Sequence, residues 1–303
     1  MKLPVRFVRF FSTSLLHKPK LELLNNRCLL KMKGEALLEY CQGLMTNDIL
    51  QLETKNSLYT MLLNSKGRVL YDCFLYKIDN FILLECDSSI ANNLQKHLKM
   101  FMLRKKIEID VLHNAFVWVL FCSTPINIPL DSQNTFDDPR LPFLGKRIIS
   151  DRYFNMDDKL LLDNQDNTFS YQKWRYTNGV AEGLELLNGI SLPLEMNCDY
   201  LNGVSFDKGC YIGQELTART HHTGVIRKRI MPIVFKNAPH KLNIDADIYD
   251  NDGIKPKKPL GRLRGICENI GIALLRIDEC LKSKNLVADG HDFKTFIPSW
   301  WKS

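Results

Sequence analysis

The chain is predicted to be an α+β protein with a small β domain at its C-terminal end. Three observations predict this. Its 303 residues, 45% apolar and 25% charged, are enough for a large core and more than one domain. Strand-like and helix-like runs mix irregularly up to about residue 228, without the β-α-β alternation of a parallel sheet. Beyond that point, short apolar runs are broken by Gly, Asn, Asp and Pro, the texture of a small β domain.

The elements follow in order. Leu37, Tyr40, Cys41 and Leu44 fall at helical spacing, and Thr46-Asn47-Asp48 closes that helix in a polar loop. Leu58–Leu63, Arg68–Ile78 and Phe81–Cys86 read as strands, separated by Ser65-Lys66-Gly67 and by a tight Asp79-Asn80 turn. Ser88 or Ser89 caps a helix running to about Met102, with Ile90, Leu94, Leu98 and Phe101 on one face. Strands follow at Ile107–Leu112 and Phe116–Cys122, then a proline-containing connection over 123–145. Ser170 caps a helix at Tyr171–Asn178, which Gly179 ends. Ile230–Phe235, Ile266–Cys267, Ile272–Arg276 and Phe293–Ile297 are strands of the last domain. The domains are therefore 21–228, with an inserted sheet subdomain at about 55–122, and 229–303.

The formal charge of +7 belongs to one segment. Lys2, Arg6, Arg9, Lys18 and Lys20 precede the first acid, Glu22, and taking those five from +7 leaves +2. Residues 1–20 are basic, amphipathic, hydroxyl-containing and acid-free, the pattern of a mitochondrial transit peptide. The remainder is too nearly neutral for a nucleic-acid footprint. The run Arg227-Lys228-Arg229 reads as a solvated face, and no nucleic-acid partner is expected. No apolar run approaches the length that crosses a bilayer, so no membrane partner is expected either. Phosphate-binding loops, dinucleotide fingerprints and G-x-S-x-G elbows are absent.

Nine cysteines are dispersed with no C-x-x-C pair, which argues against a zinc ribbon and against a disulfide framework. Cys73, Cys86 and Cys122 sit in strand-like runs and read as small buried apolar groups. Cys210 differs. It lies in Lys208-Gly209-Cys210-Tyr211-Ile212-Gly213-Gln214-Glu215, two positions after a lysine and between Gly209 and Gly213, where a nearby ammonium and a following helix start favour the thiolate. A thiolate binds metal or attacks an electrophile. His221 lies eleven positions on, but one cysteine with one histidine is half of a tetrahedral site.

The chain resembles the YgfZ-type iron–sulfur cluster assembly factors, relatives of the folate-dependent aminomethyltransferase (T-protein) of the glycine cleavage system. The pieces that carry the resemblance are Gln42-Gly43-Leu44-Met45-Thr46-Asn47-Asp48, Leu63-Asn64-Ser65-Lys66-Gly67-Arg68-Val69 with Asp72, Gly179-Val180-Ala181-Glu182-Gly183, Pro193-Leu194-Glu195, the block from Lys208 to Arg219, Gly224 and Lys228-Arg229. The resemblance implies a T-protein-like α/β body around a central folate-sized pocket, closed by a β-barrel-like domain. It implies work in [4Fe-4S] cluster maturation in the mitochondrial matrix, beside an A-type scaffold protein. Cys210 would be a ligand of a [2Fe-2S] cluster shared with that partner, with Lys208, Gln214 and Glu215 as supporting motif residues and the free chain a monomer. Asp72, Glu195 and Arg219 would contact tetrahydrofolate. The alternative is a folate-dependent aminomethyl transferase. Against it, the T-protein's two consecutive aspartates correspond here to Tyr71-Asp72, and the second glycine of its turn to Arg68, which removes one carboxylate from the acid pair.

Overall fold

A computed structural model describes residues 19–124, 134–154, 169–251 and 258–301. The leader expected over residues 1–20 lies outside the described residues as far as 18. Lys20 already belongs to a strand, β1 (Lys20–Leu23), paired with Phe121.

A five-stranded antiparallel sheet forms the first layer. Its strands are β2 (Arg27–Lys33), β3 (Ser57–Leu63), β4 (Val69–Ile78), β5 (Phe81–Asp87) and β6 (Glu108–Leu112), in the order β3-β4-β5-β2-β6. The 3-4-5 meander follows from its turns, with Gly67 and Asp79 both at positive φ. Helices α1 (Leu37–Gln42) and α2 (Ala91–Phe101) pack on one face through Leu37, Tyr40, Leu94 and Leu98. The expected serine cap is not formed: α2 has no side-chain cap, and the carboxylate of Asp87 accepts the Ser89 N–H at the 3-10 turn Ser88–Ile90 that leads into it. The ionised acceptor is the stronger one.

The other face meets a second sheet, β1-β7-β9-β8, built from β1, β7 (Phe116–Phe121), β8 (Thr135–Asp137) and β9 (Lys146–Ser150), and α3 (Tyr171–Thr177). The Ser170 hydroxyl caps α3 as expected, accepting the Lys173 N–H. Because it is covered on both sides, β4 reads as a nearly continuous buried run rather than an alternating one. After α4 (Gln214–Thr223), strands β10 (Lys228–Phe235), β11 (Asp247–Asp250), β12 (Gly261–Cys267) and β13 (Ile270–Arg276), helix α5 (Ile277–Lys282), β14 (Leu286–Ala288) and β15 (His291–Thr295) complete a closed six-stranded barrel with its own apolar interior. Ile230, Ile270 and Ile272 join the barrel to the core shared by the two sheets.

At the centre lies a wholly buried ion network. Arg147 donates to Glu85 at 2.5 Å and to Glu182 at 2.6 Å; Arg27 donates to Glu85 at 2.7 Å. Arg140 reaches Glu182 at 2.9 Å and grips Asp138 with two nitrogens. The Tyr76 hydroxyl donates to the remaining oxygen of Glu85. The Phe74 ring faces the guanidiniums of Arg147 and Arg140, 4.3 and 4.6 Å from its centroid. Burial pushes the Glu182 carboxyl up, but Arg147, Arg140, Arg175 and Arg27 together outweigh it and hold it well below the usual carboxylate range.

Glu182→Gln leaves two buried guanidiniums short of their counter-ion, and is expected to cost about 3 kcal/mol in a urea unfolding experiment. The carboxylates of Glu182 and Asp138 both titrate lower in the folded chain than unfolded. Their stabilisation is thus complete above the unfolded value near ~4 and is lost as pH falls below it. A melting temperature unchanged between pH 6 and pH 3, taken as roughly bracketing that window, would contradict this.

Candidate functional site

Residues 203–213 lead into α4, and their side chains divide sharply into held and free. Lys208 points inward. Its ammonium donates to the carbonyls of Gln42, Met45 and Asn47 at 2.8, 2.7 and 2.7 Å, acceptors at and just past the end of α1. Burial pulls its pKa down to about 8, against the opposing influence of Asp48 and Cys41. Tyr211 is buried in the central core, and the Ile212 N–H donates to the Gly43 carbonyl. Between these anchors Gly209 and Cys210 stand exposed, and no atom lies within 4 Å of where a Cβ on Gly209 would be.

The anchors are the other motifs. Asp48 accepts from the Gln42 amide, whose oxygen takes the Ile49 N–H. Asn47 donates to the carbonyls of Tyr59 and Asn202. The segment 42–48 is therefore a preformed receptor for the Lys208 ammonium. The 63–69 turn forms the second support, with the Asn64 side chain accepting the Lys66 and Arg68 N–H groups. Gly213 has φ +81, and a Cβ there would stand 2.3 Å from the Asn64 carbonyl oxygen. Only glycine fits that conformation and that gap. Gln214 closes the loop: its side-chain oxygen accepts the Tyr211 N–H at 3.1 Å. Glu215, in the first turn of α4, is exposed.

Sequence adjacency suggests that Lys208 polarises the Cys210 thiol. The structure gives the ammonium different work, because all three of its N–H donors are engaged by carbonyls on the inner side of the loop. Lys208 is a tether. His221 stacks flat on Phe206, ring centroids 3.5 Å apart, along a cleft of about 900 Å³ that also contains Asp207. Among the described residues, no three His, Cys, Asp or Glu side chains group closely enough to hold a metal ion.

Asp72, Glu195 and Arg219 differ in exposure and surroundings. Asp72 is 2% exposed on β4, its carboxylate accepting the Gly183 N–H and approached by the Tyr59 hydroxyl. Glu195 is half-buried, its carboxyl pushed up by burial, in a cleft of about 460 Å³ with Arg227, Lys228 and Arg276. Arg219 is exposed on α4 and lines neither of these clefts. Arg229 is also turned inward: it pairs with Asp199 at 2.7 Å and stacks over Tyr200, so the 227–229 run is not a continuous basic surface.

The two-sheet body and six-stranded barrel share their fold with a glycine cleavage system aminomethyltransferase. The crystal structure of aminomethyltransferase T from Bartonella henselae superposes with a TM-score of 0.69 over 95% of this chain and 88% of that one, at 12% identity. Residues 227–303 match the family model described as the CAF17 C-terminal beta-barrel domain. In sequence, the chain is 37% identical to the mitochondrial iron–sulfur cluster assembly factor IBA57 homolog of Pyricularia oryzae, over 84% of this chain and 71% of that protein. It is 34% identical to mitochondrial IBA57 of Mus musculus and 33% identical to that of Homo sapiens, each over 92% of this chain and 84% of the relative. The chain belongs to the family of mitochondrial IBA57 iron–sulfur cluster assembly factors.

Lys208→Met removes the tether while keeping an apolar stem. It is expected to cost about 2 kcal/mol, because three buried carbonyls lose a charged donor, and to speed amide hydrogen exchange over residues 209–213. Gly213→Ala, which forces a side chain into the Asn64 backbone at positive φ, is expected to destabilise by at least about 2 kcal/mol, read by chemical denaturation.

Proposed function

We propose that this protein acts in mitochondrial [4Fe-4S] cluster maturation by presenting Cys210 as one thiolate ligand of a [2Fe-2S] cluster shared with an A-type scaffold protein, in the matrix. The observation that carries the proposal is the placement of Cys210. It is an exposed thiol flanked on both sides by anchored residues, with no companion ligands grouped around it among the described residues.

A [2Fe-2S] cluster takes four ligands, normally thiolates. One sulfur from this chain leaves the remaining positions to the partner, so the cluster is cargo held at an interface rather than a resident cofactor. Tethering matters for such a ligand. A sulfur on a loose loop pays ordering entropy when it binds, whereas one already positioned by Lys208 and Tyr211 does not.

The transferase alternative loses its acid. A group that handles a substrate proton must come within hydrogen-bond reach of the substrate, and Asp72 is walled in beneath Tyr59 and the 180–183 segment. Of the residues expected to hold tetrahydrofolate, Asp72 is buried and Arg219 is exposed, and Glu195 alone lines one of the two clefts.

Anaerobic mixing of the purified chain with a purified A-type scaffold, iron and sulfide is expected to give a coloured heterocomplex that elutes as one species. Cys210→Ser is expected to abolish the shared cluster while changing folding stability by less than about 0.5 kcal/mol, since the side chain is exposed. The same complex with an unaltered absorption spectrum in Cys210→Ser would overturn the proposal.

A further inference from the structure

Two other thiols are brought together by strand register alone. Cys28 on β2 and Cys86 on β5 are direct cross-strand partners in an antiparallel pair, with their sulfurs 3.7 Å apart. Residues so paired have Cβ atoms about 4.5–5.5 Å apart, at the upper edge of the range a disulfide spans, so bonding them takes a rotation of both side chains and a small approach of the two strands. The two differ in access. Cys28 is half-buried and reachable from solvent, whereas Cys86 is wholly buried behind it. The hydrogen bond between the two sulfurs also lowers the Cys28 thiol below its ordinary pKa and raises that of Cys86.

We propose that Cys28 and Cys86 form a redox-active dithiol, a thiol-modification site separate from Cys210, that is oxidised to a cross-strand disulfide by glutathione disulfide. The exposed partner reacts first. The Cys28 thiolate attacks one sulfur of glutathione disulfide, forming a Cys28–glutathione mixed disulfide and expelling one glutathione thiolate. Cys86 then gives up its proton to that thiolate and attacks the Cys28 sulfur, so the second glutathione leaves as a thiolate and takes up from solvent the proton that Cys28 released on ionising. Two protein thiols and one glutathione disulfide become one protein disulfide and two glutathiones, and the electrons balance.

The placement gives the bond a structural consequence. Cys28 follows Arg27 in the chain, and Cys86 lies between Glu85 and Asp87. Arg27 and Glu85 are ion-paired in the buried network, and Asp87 touches the space beside Gly183. A covalent link at 28–86 locks the register of β2 against β5 at the point where that network is anchored.

The test uses the whole folded chain, incubated with glutathione disulfide, quenched with an alkylating agent and digested with trypsin. A cross-link between the peptides 28–31 and 78–96 is expected. It should exceed the Cys28–glutathione adduct by roughly tenfold, because the neighbouring thiol acts at a far higher effective concentration than free glutathione. Excess reduced glutathione should reverse it. Cys86→Ser should convert the cross-link into a lasting adduct on Cys28, and Cys28→Ser should leave the buried Cys86 unmodified. A wild-type chain that accumulates the Cys28 adduct without the cross-link, or that cross-links only in urea, would overturn the proposal, as would glutathione on Cys86 in Cys28→Ser.

Discussion

Three guanidiniums and three carboxylates sealed in the interior hold the two sheets of the body in one arrangement. Arg27 and Glu85 come from the five-stranded sheet, Arg147 from the four-stranded one, Asp138 and Arg140 from the connection between β8 and β9, and Glu182 from the segment after α3. Charges taken out of water are tolerable only when each meets its opposite at close range, so the network accepts one relative placement of these pieces and penalises the rest. An apolar interface of the same size would tolerate sliding. The same segment of chain that supplies Glu182 also covers Asp72, so the network's geometry keeps that carboxylate away from solvent.

On that frame, three stretches far apart in sequence converge under a single sulfur. The 42–48 loop offers carbonyls, the 63–69 turn offers a backbone surface against which only glycine fits, and the 208–214 segment lies across both. The result is alternation along the loop: Lys208 inward, Gly209 and Cys210 outward, Tyr211 and Ile212 inward. A thiol displayed this way is both reachable and positioned, two properties that a flexible loop cannot combine. The chain's cysteines thus separate by environment: most are buried packing groups, Cys210 is displayed, and Cys28 with Cys86 forms a juxtaposed pair.

Much of this was legible from residues. The meander, α1 and α3, the start of the barrel near 228 and the singularity of Cys210 all rest on local signals: periodicity, turn residues, caps and a thiol among glycines. Strands β2 and β9 were not legible. Arg27–Lys33 carries charges within an apolar run, and its partners β5 and β6 lie some fifty to eighty positions later, so no turn beside it marks a hairpin. Strand β9 sits just past a proline-rich stretch, and its Arg147 looks like a surface residue until the buried acids around it are known.

The chain's own residues determined the α+β class, the β domain at the end and the identity of the exceptional cysteine, because each is written in neighbours a few positions apart. Only the tertiary structure decided that Lys208 tethers rather than polarises, that Asp72 is buried while Arg219 is exposed, and that Cys28 faces Cys86. Those outcomes depend on which distant backbone and which opposite charge each side chain meets. Sequence spacing carries no record of that, because the partners are selected by packing and desolvation across the whole fold.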